Sequence, residues 1–423
     1  MVVSLKVQAI LVIVTAIIFM LGLFCAQIYQ RKQAKEMVKS QCGIIGSLVL
    51  FYFGFIFINS YQYVMSILLA HIFDFTPVFL SSDVTEVVFA QDWFIMVSIM
   101  ILGFIVNLFM VAYTKAKYLF LAPFELMLMS FTMVLFFKFS ALSVTTSVML
   151  GGVILGTLMS LLPYGLTKLC GSDLYHKTTL GTFNYLGYYI AVWVGKMFGR
   201  CETSCLEYSK TTTSPVIKRP IKFIFIGMFL LSMFVVQIAN AKGFDKSMRL
   251  IILDRIAVEG FTLHAINIIG LMIGMSCLFV SYKIFITWYK DIVEAIQGRF
   301  KHVVVCTDLM YQFQKCTPYI FIGFFMSLLG CLVSFGYMSF YQFDMVCFPN
   351  LILIGVIGIL VAKMGDLANG LRGAVVSCFI NGIVLTVLPT LTYLAFQTTS
   401  LEFYFSFVDY YFVAQLLDIL FIF

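Results

Sequence analysis

Charge is scarce in this sequence. Of 423 residues only 11% are Asp, Glu, Lys or Arg, whereas soluble domains carry about a quarter. With 62% of residues hydrophobic and 17% aromatic, a water-soluble fold would have no polar surface to present. The sequence also lacks the alternating segments of about ten residues that a transmembrane barrel requires. It has no G-x-x-x-x-G-K-[ST] loop for a nucleotide and no H-E-x-x-H for zinc. None of its four histidines stands at metal-ligand spacing. No polar stretch is long enough for a cytoplasmic catalytic domain, so no catalytic residues and no cofactor are expected. Eleven cysteines are present, but Cys25, Cys277, Cys331 and Cys378 lie within apolar runs, where a thiol acts as a small hydrophobe. Cys201 and Cys205 provide two of the four ligands a structural zinc needs, and no disulfide framework is inferred.

What remains are apolar runs of about 20 residues, each long enough to cross roughly 30 Å of hydrocarbon as a helix. The fold class is therefore all-α and polytopic. The net charge of +7 sits in short clusters between runs, as the positive-inside rule requires, and does not call for a nucleic-acid partner. Applying that rule along the chain gives crossings at 7–25, 43–67, 93–113, 118–137 and 142–164, then at 223–240, 261–285, 318–338, 345–361, 374–396 and 403–423. The count is about eleven, with the N-terminus outside and the C-terminus cytoplasmic. Residues 1–199 form a first half, the Ser-, Thr- and Pro-containing segment 200–220 a cytoplasmic linker, and residues 221–423 a second half. Similar stretches at 154–162 and 322–329 are compatible with an internal repeat.

One segment breaks the rhythm. Residues 178–198 are flanked on both sides by cytoplasmic-type charge, Lys168 and Lys177 before and Lys196 and Arg200 after. Their first part, Thr178 to Asn184, is too polar for lipid contact. The segment reads as a re-entrant hairpin lining a protein-enclosed cavity, the alternative being an amphipathic helix on the inner surface.

Ionisable groups at bilayer depth are functional candidates. Glu125 follows Pro123, which removes a backbone donor and opens a carbonyl; the plainer reading is a solvated Glu125 near the inner surface. Asp308 stands at the entrance of a polar run, where its carboxylate is placed to accept from a sugar hydroxyl or to pair with Lys301 or Lys315. Asn107, mid-span among apolar residues, reads as a structural amide bonded to a neighbouring helix.

Several segments, in order, resemble one family. Asn107 to Lys117 is similar to the third-span exit of the ascorbate and galactitol branch of phosphotransferase-system membrane components. Gly181 to Arg200, closing in Gly195-Lys196-Met197-Phe198-Gly199-Arg200, resembles their Gly-His-Gln-Gln segment with its Gly-Lys pair. Asp291 to Gly298 resembles their Glu-x-x-Glu-Ala-Phe-Asn-Gly, Asp308 falls on an aspartate of their substrate site, and Asn369 to Ala374 is similar to their Gly-Gly-Trp-Arg-Ala-Ala. The likeness runs from about Gln30 to Ala395. It implies a bacterial inner-membrane permease that is a homodimer, with a scaffold and a mobile, substrate-carrying core moving by an elevator-type shift. It also implies cytoplasmic A and B partner proteins that phosphorylate the incoming sugar. Thr182 and Phe183 replace the family's His-Gln, and a carboxylate, Glu125, is gained, which disfavours an anion such as ascorbate. A neutral sugar or polyol bound by Glu125, Thr182, Asn184 and Asp308 is expected, with Ser82 and Asp83 as further candidates. A secondary transporter without phosphorylation and a polytopic chemosensory receptor are the competing readings.

Overall fold

Backbone polar groups in hydrocarbon must find partners within the chain, so the apolar runs fold as helices. The computed structural model describes residues 17, 20–78, 91–139, 142–170, 178–198, 201, 203–212, 214, 220–243, 260–307, 311, 318–396, 409–410, 412–413 and 416–417. In chain order its elements are α1 (Ala34–Phe73), β1 (Thr76–Val78), α2 (Trp93–Tyr113), β2 (Tyr118–Leu121), α3 (Pro123–Phe139), α4 (Val144–Cys170), β3 (Thr178–Leu180), α5 (Tyr185–Met197) and α6 (Cys205–Thr211). There follow α7 (Pro220–Ala241), α8 (Gly260–Arg299), β4 (Val304–Thr307), α9 (Ile320–Phe340), β5 (Met345–Cys347) and α10 (Leu351–Phe396). Among the described residues seven helices are long and apolar enough to cross a bilayer. The chain is a polytopic helical membrane protein.

The longest helix is two. Within α10, Asn369 (φ −146°, ψ 19°) and Gly370 (φ 68°, ψ −160°) leave helical geometry. A β-carbon on Gly365 would lie 2.5 Å from the Gly373 carbonyl oxygen, although residues eight apart in a straight helix are about 12 Å apart. The chain therefore folds back at Gly370 into a helical hairpin, with limbs 351–368 and 371–396. Only glycine adopts the Gly370 conformation readily. The expected crossing 118–137 is also divided, into β2 and α3. Pro123 has no N–H to extend a helix backwards but suits a first helical position, so the residues before it pair as a strand. The expected crossings 7–25 and 403–423 fall largely outside the described residues.

The two halves are related. α1 and α8 begin 226 residues apart, α2 and α9 227, β2 and β5 227, and α3 and the first α10 limb 228. The equivalents α1 and α8 run antiparallel: Ser281 Oγ donates to the Ser47 carbonyl at 2.7 Å, and a β-carbon on Gly54 would lie 2.8 Å from the Gly274 carbonyl oxygen. Antiparallel equivalents place the relating axis in the membrane plane, the arrangement of an inverted repeat. The stretches 154–162 and 322–329 are not its equivalents, because α4 corresponds to the second limb of α10 and α9 to α2. Their likeness reflects the Gly and Leu that any closely packed span uses.

Close packing follows the same symmetry. α2 and α4 pack in parallel where Gly103 meets Leu155, and α9 meets the second limb of α10 where Gly330 faces Gly382. Small residues allow this approach where no hydrophobic force drives helices together in lipid. Two short parallel sheets complete the fold, β1 with β5, and β2–β4–β3. A small apolar cluster including Leu23, Ile44, Leu48, Phe285 and Tyr289 lies between α1, α8 and the helix Met20–Tyr29 and reaches the sheet at Val305 and Leu121. The main core is shared by α2 to α5, α7, α9 and α10 with the C-terminal half of α1 and Leu271 of α8.

Candidate functional site

The three-stranded sheet determines where the candidate residues lie. Its strands are parallel, and its register sets Leu121 and Leu180 on either side of Thr307. All three strands therefore end at one level. Gly181 N donates to the Thr307 carbonyl at 2.7 Å, and Thr307 Oγ1 donates to the Thr179 carbonyl at 3.2 Å. Beyond the sheet, one strand leads through Pro123 to Glu125, another through Thr182 and Phe183 to Asn184. The central strand leads to Asp308, which lies outside the described residues, as do Ser82 and Asp83.

Glu125 is in the first turn of α3 and only 5% exposed, so a solvated Glu125 is excluded. Its Oε2 accepts from Phe183 N at 3.2 Å and from the Tyr410 hydroxyl at 2.9 Å. The carboxylate thus reaches the backbone of the loop between Thr182 and Asn184, and the structure gathers these three candidates into one cluster. The Phe183 ring stacks on Phe120 with centroids 5.1 Å apart and meets Tyr410 at 6.1 Å. The Thr182 and Tyr188 hydroxyls are 3.1 Å apart. Thr182 and Asn184 are completely buried, so this conformation holds the cluster closed.

The segment 178–198 is a strand, a polar loop and a 13-residue helix. At about 1.5 Å per residue that helix is roughly 20 Å long, too short to cross alone. Its N-terminus points at the cluster. Asn184 holds the capping position without capping; instead Asp409 accepts from Tyr185 N and Leu186 N, both at 2.8 Å. A carboxylate there satisfies two orphan donors and complements the positive end of the helix.

Sequence reasoning passed over Asp409 and Tyr410. The signal was available: Asp409 is a carboxylate in an apolar run, the criterion that singled out Glu125. Tyr410 also stands 227 residues after Phe183 in the repeat, so the ring contact joins equivalent positions. Asn107 is structural: its Nδ2 donates to the Tyr118 carbonyl at 2.9 Å and to Ser160 Oγ at 2.8 Å, and its Oδ1 accepts from Phe120 N at 3.0 Å. It fastens α2 and α4 to β2.

The linker segment is docked on the α10 turn. Cys201 N donates to the Asn369 carbonyl at 3.0 Å, Leu371 N to the Thr203 carbonyl at 2.9 Å, and Cys205 N to Asp366 Oδ1 at 2.7 Å. Burial, and then the neighbouring Asp366, push the Cys205 thiol well above the usual range, which leaves it a poor nucleophile. Among the described residues no group of three or more His, Cys, Asp or Glu is placed to hold a metal ion.

In comparisons with known proteins, the family model for the PTS system sugar-specific permease component matches residues 8–409. No curated protein matches the chain.

Proposed function

The chain belongs to the family of sugar-specific permease components of the phosphotransferase system, and from that premise we propose that it binds a neutral sugar or polyol where its three parallel strands end. Family membership makes it a multi-pass transporter with a sugar substrate and cytoplasmic A and B partners. The reading of the site rests on one observation. Glu125, from one strand exit, bonds the backbone of a second exit at Phe183, so Glu125, Thr182 and Asn184 share one buried cluster; Asp308 is the residue after the third strand in sequence. Carboxylates, an amide and a hydroxyl match the donors and acceptors of sugar hydroxyls. An anion in that company would meet like charge, which favours a neutral substrate over ascorbate.

The closed cluster has to open for loading. We assign the motion to an elevator-type shift, with the α1–α8 pair as part of a scaffold through which two protomers associate and the strand ends carried on the remaining helices. Charge distribution supports a bacterial inner-membrane orientation with the N-terminus outside and the C-terminus cytoplasmic.

Equilibrium binding of labelled sugars and polyols to the purified protein tests the site. Thr182→Val, Asn184→Leu and Asp308→Asn are each expected to raise Kd at least tenfold while membrane insertion is kept. Unchanged affinity in all three variants would remove the strand ends as the binding site.

A further inference from the structure

A cavity of about 540 Å³ opens at the basic end of the molecule, where the last turn of α2, the start of β2 and the turn after α8 meet. Its size falls in the range of roughly 300–1,000 Å³ typical of ligand sites. Lys117, Arg299, Lys301 and His302 line it, against apolar walls that include Leu108 and Leu119, and among the described residues no carboxylate lines it. Lys117 Nζ is held at the end of α2 by the Val111 and Ala112 carbonyls, at 3.1 and 3.4 Å. Among the described residues Arg299 and Lys301 make no ion pair. Basic side chains that share a cavity whose described lining carries no carboxylate complement an anion.

The apolar side says which anion. α2 exposes Ile101, Ile105 and Leu108, at 54%, 54% and 44%, and their helical spacing draws a strip from the cavity along the helix. A soluble phosphate has no use for such a strip, whereas a lipid lays its chains there. The inverted repeat supplies an internal control. Lys117 and Lys301 correspond, 227 residues away in each case, to Asp344 and Asp74 at the opposite end of the molecule. There Asp74 pairs with Lys242 at 3.1 Å. The fold alone therefore does not require cations at this corner; the positive-inside bias places them at this end, next to the leaflet that carries anionic lipid.

We infer that this cavity binds the headgroup of an anionic phospholipid, with the phosphate among Lys117, Arg299 and Lys301 and the acyl chains along α2. Its walls come from α2 and β2 on one side and from the end of α8 on the other. A bound lipid thus bridges the sheet that carries the candidate site and the α1–α8 pair. The site is independent of which solute the strand ends take.

Native mass spectrometry of the full-length, delipidated protein tests it, with phosphatidylglycerol, phosphatidylcholine and glycerol 3-phosphate as probes. Phosphatidylglycerol is expected to be retained at least tenfold better than phosphatidylcholine. The double variant Arg299→Gln/Lys301→Gln should lose that preference, and the charge-keeping Arg299→Lys/Lys301→Arg should retain it. Lys290→Gln, a surface cation outside the cavity, serves as control and should behave as the parent protein. Equal retention of the two lipids, an undiminished preference in the double glutamine variant, or displacement by equimolar glycerol 3-phosphate would each overturn the lipid assignment. So would loss of dimerisation in that variant with no change in lipid retention, which would make the face a contact between copies.

Discussion

A carboxylate at bilayer depth persists only where donors surround it, and Glu125 has found two in residues far apart in sequence, Phe183 and Tyr410. Hydrogen bonds to charged groups are worth about 1.5–3 kcal/mol each. Tyr410→Phe deletes one and is expected to destabilise the protein by about that amount in a thermal unfolding assay; an unchanged midpoint would mean the bond carries no weight. Gly370 has a different constraint. Its backbone conformation suits glycine alone, and a β-carbon there would lie 2.3 Å from the Cys201 carbonyl oxygen. Gly370→Ala is expected to cost about 1–3 kcal/mol, read as a lowered melting temperature, and equal stability would argue against the turn. At this scale Glu125 was legible in the sequence because ionisable groups stand out against Leu and Phe. Its partners were not, because a backbone N–H and a tyrosine hydroxyl leave no mark in a hydropathy pattern.

Among the elements, α5 shows how a short helix is held in the membrane. It lacks a cap of its own, so Asp409 from the end of the chain closes its N-terminus. Losing such a cap costs about 0.5–2 kcal/mol. Asp409→Ala should therefore loosen the loop carrying Thr182 and Asn184, weakening substrate binding although Asp409 itself is bonded to backbone. Amide exchange at Tyr185 and Leu186 should accelerate in the variant, and unaltered exchange would count against the cap. On the linker, the raised Cys205 thiol holds less thiolate at any given pH than an ordinary cysteine. Thiolate-directed labelling at pH 8 should be slow in the folded protein and fast once it is unfolded; rapid labelling of the native state would contradict the burial. The sign follows through linkage: a folded-state pKa above the unfolded value stabilises fully below the unfolded pKa, and that stability is lost as pH rises from there toward the folded pKa. The broken inside-outside rhythm at 178–198 was readable from Lys168, Lys177, Lys196 and Arg200. The strands were not, since Tyr118 to Leu121 and Val304 to Thr307 look like pieces of apolar span, and only pairing across 186 residues of chain makes them strands.

The whole molecule is organised by its inverted repeat, and hydropathy could not reveal it. The Gly- and Leu-containing stretches at 154–162 and 322–329 are alike without being equivalents, because close packing in lipid selects small residues on every interface. Element lengths carried the true signal: two helices of 40 residues and two of 21, in the same order. Inverted repeats of this kind are a recurring basis of alternating access in transporters. Membrane class, helical architecture and family were legible in apolar content and in ordered motifs, while the sheet whose strands end beside Glu125, Thr182 and Asn184 emerges only from the structure.

We propose that this permease takes up a sugar through a site at its strand ends and delivers it to phosphorylating partners. Uptake of labelled sugars and polyols into inverted-topology-controlled vesicles, with and without phosphoenolpyruvate and the cytoplasmic A and B partners, tests it most directly. The expected result is accumulation of sugar phosphate that requires phosphoenolpyruvate and falls at least tenfold in Asn184→Leu. Accumulation of unmodified sugar, indifferent to phosphoenolpyruvate and to that substitution, would contradict it.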